Sequence, residues 1–415
     1  MSKQSLLQDQ LDRYDGVARF LPTWLPRNFL PPGRRLKVHP DDLYAFGMEK
    51  GGIAERWFVS TGAPISGETT LDESTMSRFW LGKGEDTITF PEAIALMGDT
   101  LLGEETMKTL GTFKMFAKLY DYGAALPFHL HPQGKFVNHL GLNQKPESYY
   151  FPVEYNSITL NHDYTFFGLN PTVTKEEVLE CIKNFDKCDN GILSLSRAFK
   201  IKLGTGWFLP AGFLHAPASV VTYEPQYMSD VSVWYQNLIE TKYVIDDHLN
   251  DFVIPEDCRA DRDKRAEVLL NMFDWEANVD PDFREKFYHE PIPVKNMEDM
   301  IADGYIERWV SYGSKDFAAK ELRVLPGRTV TIKDDAAYGF IMMQGYGTIN
   351  GMEINTPVII RVGQPTADEG FVIRGAAEKG VVIENKSEFS EIVMLKHFNG
   401  DSKAALAMVQ KEGEE

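Results

Sequence analysis

A short fragment with two histidines constrains the fold of this chain more than any other feature of its sequence. It runs from Gly123 through five residues to His129, a leucine and His131. Residues two apart in a β-strand point to the same face. His129 and His131 are therefore predicted to face one interior and to share one metal ion.

A second fragment completes the pattern. It runs from Gly204 through five residues to Pro210, and then to Gly212 and His215. Proline and glycine favour a tight turn, so His215 is predicted to lie on the strand that follows. In this order the two fragments match the two signature motifs of cupins, a family of β-barrel proteins. Three imidazoles that converge in an interior favour a bound divalent metal over three polar core residues.

The rest of the chain favours a mainly β fold: a bicupin-like pair of double-stranded β-helix (jelly-roll) barrels with a small helical insertion. Residues 1–45 contain scattered prolines and are predicted to be irregular. Thr174, with Glu177 three residues later, forms a capping box and predicts the start of the inserted helix. From about 305 to 398 short alternating strands recur with turns roughly every ten residues, which predicts a second barrel.

These patterns predict three segments. Residues 1–255 are a metal-binding cupin domain with an N-terminal extension and the helical insertion near 172–190. Residues 256–300 are a helical connection. Residues 301–415 are a C-terminal cupin-like domain without metal ligands, because this segment contains one histidine, His397, and no His-x-His.

The net charge is -18, from 61 acidic and 43 basic residues. That balance excludes a typical nucleic-acid binder and disfavours anionic membranes. The N-terminus lacks an apolar signal segment and no apolar run is long enough to span a membrane, so a cytoplasmic protein is expected. Three cysteines without metal-type spacing are interpreted as ordinary thiols. Exposed β edges would permit a homodimer.

A fourth metal ligand is needed, and the residues directly after His131 contain no glutamate. The nearest candidate is Glu147, within Lys145-Pro146-Glu147. At this point the chain resembles type I phosphomannose isomerase, a family that also places its ligand glutamate in a downstream Lys-Pro-Glu motif. The resemblance covers most of the chain and extends over these segments: Gly52–Ser60, Phe113–Pro132, Phe167–Leu169 with the capped helix, Trp207–Ala216, Glu224, Ser229–Asp230 and the final β segment.

The resemblance implies that His131, Glu147 and His215 are zinc ligands. At the position of the first ligand the family has glutamine and this chain has His129. A third imidazole widens the choice of metal to manganese, iron or nickel. The second departure is Trp234, which stands where the family has an arginine beside the substrate. Because an indole cannot hold a phosphate by charge, a substrate other than phosphomannose is predicted.

The remaining site residues are assigned by chemistry. Lys145 and Glu224 are the candidates for proton handling. Trp234, Asp230 and Tyr149 are predicted to bind the substrate, and Asp230 is predicted to do so mainly by orienting a neighbour through hydrogen bonds. Two further histidines, His139 and His162, are interpreted as spare.

The favoured function is metal-dependent aldose–ketose isomerisation of a sugar or sugar derivative. In that reaction a metal ion holds the carbonyl and the neighbouring hydroxyl oxygens while a base moves a proton between adjacent carbons. Two alternatives stay open. Three histidines and a glutamate also suit a cupin oxygenase or decarboxylase. Loss of the family arginine at Trp234 also suits a non-catalytic carbohydrate-binding cupin.

Overall fold

The structure is a computed structural model and describes most of the chain. The described residues are 2–62, 73–82, 86–156, 163–187, 189–239, 242–243 and 248–409. His162 and Cys188 lie outside them.

The chain is mainly β, and within the described residues the paired strands run antiparallel, apart from one isolated parallel bridge between Val38 and Ile360. The α-helices are Lys3–Arg13, Phe90–Leu102, Glu104–Thr109, Gly134–Val137, Lys175–Lys183, Glu256–Arg259, Arg262–Leu270, Trp275–Val279, Phe283–Phe287, Met297–Asp303, Arg374–Lys379 and Lys403–Leu406. No helix among the described residues has the length and apolar character that a membrane crossing requires.

Two sheets pack face to face in the first two thirds of the chain. In spatial order, the seven-stranded sheet comprises Tyr288–His289, Gly206–Leu209, Glu147–Tyr150, Thr222–Tyr227, Met115–Tyr120, Gly52–Phe58 and Thr23–Arg27. The five-stranded sheet comprises Ser196–Lys200, Tyr164–Leu169, His215–Ala216, His129–Leu130 and Val233–Trp234. Buried aromatic rings from both sheets, such as Tyr149 and Phe167, meet in one core between them.

Two more sheets enclose a second core. In order, the nine-stranded sheet comprises Ile292–Pro293, Tyr305–Ser311, Phe317–Val324, Ile392–Asn399, Tyr338–Gln344, Glu369–Val372, Val17–Leu21, Arg78–Trp80 and Thr87–Thr89. The four-stranded sheet comprises Thr329–Ile332, Val381–Asn385, Tyr346–Ile349 and Met352–Asn355. A short hairpin of Leu238–Ile239 and Lys242–Tyr243 stands apart. Three strands from the first ninety residues, Val17–Leu21, Arg78–Trp80 and Thr87–Thr89, thus form one side of a sheet whose other strands come from the C-terminal part of the chain.

The prediction that residues 1–45 are irregular is wrong for residues 3–27 and holds for 28–45, which contain a 3-10 turn at Pro40–Asp42 and two isolated bridges. The helix Lys3–Arg13 begins at Ser2, whose side chain accepts a hydrogen bond from the Ser5 amide. The prolines all come later, so none interrupts this helix. The strand Thr23–Arg27 tolerates Pro26 because the pairing register shifts between Leu25 and Pro26, and irregular pairing is where a residue without an N–H fits a sheet.

The predicted helical insertion is confirmed at Lys175–Lys183. Thr174 Oγ1 accepts from the Glu177 amide, and the Glu177 carboxylate accepts from the Thr174 amide at 2.8 Å. This reciprocal pair is the capping box read from the sequence. The boundaries of the three segments stay a prediction.

A buried arginine joins the seven-stranded sheet to the nine-stranded sheet. Arg56 donates to both carboxylate oxygens of Asp368 at 2.7 and 2.8 Å, and to Glu369 at 2.9 Å. Burial raises the pKa of Glu369 to about 8, against the opposing effect of Arg56 and with help from Asp368. One guanidinium therefore faces two carboxyl groups in a buried interface, and the raised pKa of Glu369 favours its protonated form near neutral pH.

The pKa of Glu369 has a consequence for stability. An unfolded glutamate titrates near about 4.3, so the folded protein binds a proton at Glu369 that the unfolded chain releases. The stability that this proton gives the folded state is fully present below about pH 4.3 and is lost as the pH rises toward 8. Over this range the free energy of unfolding of the wild type should fall more steeply with pH than that of Glu369→Gln, by on the order of 1 kcal/mol per pH unit. Urea unfolding from pH 5 to 8 measures it, with exposed Glu388→Gln as the matched control. Equal slopes for wild type and Glu369→Gln would contradict the assignment.

Candidate metal centre and active-site cleft

Strand pairing brings the two histidine fragments together. His215 lies directly opposite His129 in the five-stranded sheet. The turn before His215 is fixed by Gly212, whose amide donates to the His131 carbonyl at 2.7 Å. Gly212 has φ +88°, a conformation that side chains rarely adopt, and a Cβ there would lie 3.1 Å from the Asp274 amide nitrogen. The local turn therefore sets which histidines meet.

The three imidazoles form one buried cluster. Ring centroids are 4.2 Å apart for His129 and His215, 5.0 Å for His131 and His215, and 5.2 Å for His129 and His131. Their ligand nitrogens all lie within 4.8 Å of one another. Among the described residues, no second group of histidine, cysteine and carboxylate ligands comes together in this way.

Backbone carbonyls orient all three rings. His129 Nδ1 lies 2.6 Å from the Pro127 carbonyl, His131 Nδ1 lies 2.7 Å from the Val231 carbonyl, and His215 Nδ1 lies 2.9 Å from the Phe213 carbonyl. A carbonyl only accepts, so each Nδ1 carries the proton and each Nε2 keeps its lone pair. This is the ring arrangement of metal-binding histidines.

Burial keeps the His129 and His131 rings neutral. It holds the pKa of His129 well below its ordinary value, and His215 and His131 add to the effect. Burial, followed by the nearby Lys145 ammonium, lowers the pKa of His131 to about 4. Neutral imidazole is the form that binds metal.

Glu147 lies against two of the three rings. Its carboxylate oxygens are 3.1 Å from His131 Nε2 and 3.1 Å from His215 Nε2. Glu147 Oε2 also lies 2.8 Å from Lys145 Nζ, whereas Glu147 Oε1 and His215 Nε2 are buried without a hydrogen-bond partner among the described residues. Burial alone would raise the pKa of Glu147, but the Lys145 ammonium holds it well below its ordinary value. A buried carboxylate beside converging imidazole nitrogens fits a divalent cation.

Lys145 links the imidazoles to a second group of charged side chains. Its Nζ lies 2.8 Å from Glu147 Oε2 and 3.3 Å from His131 Nε2. It also lies 3.1 Å from Glu224 Oε1 and 4.0 Å from Asp230 Oδ1. Burial would lower the pKa of Lys145, but these three carboxyl groups raise it above its ordinary value. Lys145 is therefore an ammonium group inside the protein.

Glu224 differs from the other carboxyl groups. Burial raises its pKa to about 8, and the Glu147 charge adds to this, while Lys118 and Lys145 oppose it. Lys118 Nζ lies 3.1 Å from Glu224 Oε1. A carboxyl group with a pKa near neutrality, flanked by two ammonium groups, is suited to accept and return protons.

Sequence reasoning missed Lys118 and a cluster around Arg27. Arg27 donates to Glu55 at 2.8 and 3.0 Å and to Asp230 at 2.9 Å, and Glu55 also accepts from Tyr122. Lys118 was detectable as a single charge within the apolar strand Met115–Tyr120. Arg27 carried no such signal, because its partners are distant in the sequence.

The predicted substrate-contacting residues separate into two places. Asp230 and Trp234 line a cleft that opens onto His129 and His131, whereas Tyr149 is buried behind the rings, 6.1 Å from His215 between centroids. His139 is exposed and outside the cluster. The cleft is lined by Arg27, Phe29, Glu55, Lys118, Tyr122, Leu126, Pro127, His129, His131, Lys145, Asp230, Ser232 and Trp234.

Comparisons with known proteins support the fold. No family model matches the chain, and no curated protein sequence matches it. A variant of phosphomannose isomerase from Salmonella typhimurium superposes with a TM-score of 0.59 at 14% identity, covering 93% of this chain and 100% of that one. Mannose 6-phosphate isomerase from Bacillus subtilis gives 0.56 at 14% identity, covering 92% and 99%. A mannose 6-phosphate isomerase bound with zinc and yttrium gives 0.58 at 13% identity, covering 92% and 99%. Over almost its whole described length, the chain has the cupin-like fold of the phosphomannose isomerases.

Proposed function

We propose that this chain is a metal-dependent aldose–ketose isomerase for a sugar or sugar derivative other than phosphomannose. The observation that carries the proposal is the convergence of three buried imidazoles and the buried Glu147 carboxylate beside two proton-handling groups, Lys145 and Glu224. His129, His131, His215 and Glu147 would hold the metal, zinc by resemblance, with manganese, iron and nickel as alternatives. The bound ion supplies Lewis acidity to a carbonyl oxygen and its neighbouring hydroxyl.

The chain's own residues move the proton. Burial and the Glu147 charge raise the pKa of Glu224 toward the neutral range, where both its protonated and ionised forms are accessible. Its ionised form accepts the proton from one carbon and returns it to the adjacent carbon. Lys145 lies 3.1 Å from Glu224 and donates to the substrate oxygen next to it. Asp230 and Glu55 fix Arg27 at the side of the same cleft.

We also propose that the four large sheets form two cupin barrels, so that the metal lies in the first and the second has none. The core between the nine-stranded and four-stranded sheets contains four buried charged side chains of balanced sign. Lys320 and Lys396 face Asp334 at 2.6 and 2.7 Å, and both also contact Glu307. Such mutual pairing fills an interior without a cation.

The metal assignment predicts the effect of removing single imidazoles. His131→Ala and His215→Ala should each lose most of the bound metal, because each removes one of the four proposed ligands and leaves a small, ill-shaped donor set with weaker affinity. Exposed His139→Ala should retain the metal and is the matched control. Elemental analysis after zinc loading and dialysis measures metal per chain, with circular dichroism to check folding. Full retention of metal in the His131/His215 double variant would overturn the assignment.

The proton-transfer assignment predicts a loss of turnover without loss of metal. Glu224→Gln keeps the size of the side chain but cannot accept a proton, so kcat for ketose formation should fall by about 100-fold or more. Metal content should stay at the wild-type level, since Glu224 is not a proposed ligand. The measurement incubates metal-loaded protein with aldoses and follows ketose formation and exchange of the C2 proton with deuterated water.

The same experiment separates the alternatives. Unchanged turnover in Glu224→Gln would remove this residue from the mechanism. Oxygen consumption or carbon dioxide release in place of ketose would indicate an oxygenase or decarboxylase. Tight sugar binding by the metal-loaded wild type without any product would indicate a non-catalytic binder.

A further inference from the structure

The cleft has a charged floor and an uncharged rim. Every charged residue that lines it is buried, with at most 8% of its surface exposed: Arg27, Glu55, Lys118, Lys145 and Asp230. The half-exposed lining residues carry no charge, and they are Phe29, Leu126, Ser232 and Trp234. Among the described residues, a ligand that enters therefore meets aromatic and aliphatic surface first and charge only at the bottom.

The cations of the floor are already paired with carboxyl groups. Arg27 donates to Glu55 and Asp230 at 2.8 to 3.0 Å. Lys118 lies 3.1 Å from Glu224. A phosphate would have to displace one of these carboxyl groups and leave it unpaired in a buried place, which is strongly unfavourable. No floor cation is thus available to bind a phosphate as its main partner.

The rim offers packing surface instead. The rings of Phe29 and Trp234 meet edge to face with centroids 5.2 Å apart, and Phe29 stacks on Tyr122 at 5.4 Å. Trp234 Nε1 donates to Ser232 at 3.2 Å, which fixes the indole within the rim. Rigid aromatic rings supply contact area for the C–H faces of a sugar, and they give no charge to an anion.

We propose that the cleft takes an unphosphorylated sugar, and that Trp234 is the residue that determines this specificity. The proposal rests on the isomerase function, because that function places the reacting carbons at the floor, beside Glu224 and the imidazoles. The far end of the sugar chain then lies at the rim. A phosphate on that end would contact Trp234 and Phe29, where it loses water and gains no cation. A free hydroxymethyl group fits the same place.

The test compares matched pairs of ligands: D-mannose, D-glucose and D-fructose against their 6-phosphates, with the metal-loaded full chain. We expect kcat/KM for the free sugars to exceed that for the phosphates by about tenfold or more. Trp234→Arg adds a cation at the rim and should shift this ratio toward the phosphates. Val358→Arg adds the same charge at a residue that is 92% exposed and outside the cleft, and it should leave the ratio unchanged.

Each outcome bears on a different statement. Faster turnover of a 6-phosphate by the wild type would overturn the inference and leave the isomerase proposal intact. Absence of turnover with all six ligands would contradict the isomerase proposal, and calorimetric titration of the same metal-loaded protein would then decide the specificity. Binding of free sugars in preference to their 6-phosphates would support the inference. Tighter binding of the phosphates, or no binding of either kind, would overturn it.

Discussion

The charge of Glu147 organises the interior between the seven-stranded and five-stranded sheets. A buried carboxylate is strongly destabilising unless it has partners. Glu147 is 99% buried and meets two imidazole rings on one side and the Lys145 ammonium on the other. Lys145 in turn lies beside Glu224 and Asp230. Each buried charge is therefore partly neutralised by a neighbour of opposite sign, and this series of ion pairs extends from the imidazoles to the side of the cleft.

The features of this site that depend on neighbouring residues could be predicted from the sequence. His129 and His131 share a face because strands repeat every two residues, and Gly212 fixes the turn before His215 because only glycine adopts its conformation freely. The capped helix after Thr174 follows from the same local logic. Strand periodicity and turn preferences are set by residues that are close in the sequence, so they can be recognised without knowledge of the tertiary structure.

The charged contacts around Arg27 could not be predicted from the sequence, because they depend on pairing between distant segments. Arg27 and Asp230 are 203 residues apart in the chain, and their contact exists only once the edge strand Thr23–Arg27 has joined its sheet. That strand lies in a proline-containing region where propensity predicts no structure, and tertiary pairing overrides the propensity. The fold at the level of a mainly β cupin-like chain followed from motifs, whereas the complete charge arrangement required the sheet topology.

Polar contacts also join the sheets of the first two thirds of the chain to the nine-stranded sheet. Arg56 is bound by Asp368 and Glu369, and the Tyr150 hydroxyl donates to Glu321 at 2.7 Å. Arg323 pairs with Glu154 at 2.8 Å. Directional contacts of this kind tolerate little sliding between the sheets. Arg56 and Glu55 are neighbours on one strand and point to opposite faces, so the strand that forms this interface also positions Arg27 at the cleft.

The core between the nine-stranded and four-stranded sheets and the core between the seven-stranded and five-stranded sheets neutralise buried charge in different ways. This difference indicates which of the two cores is suited to a cation. Between the nine-stranded and four-stranded sheets, two lysines face two acidic residues, so the charges balance. Between the other pair of sheets, three imidazoles bring their ligand nitrogens within 4.8 Å of one another, and the Glu147 carboxylate, paired with Lys145 on one side, lies 3.1 Å from two of them. Imidazoles oriented by carbonyls have no proton to offer this carboxylate. The side of Glu147 that faces their lone pairs would therefore suit a divalent cation, whereas the balanced charges of the other interior would not.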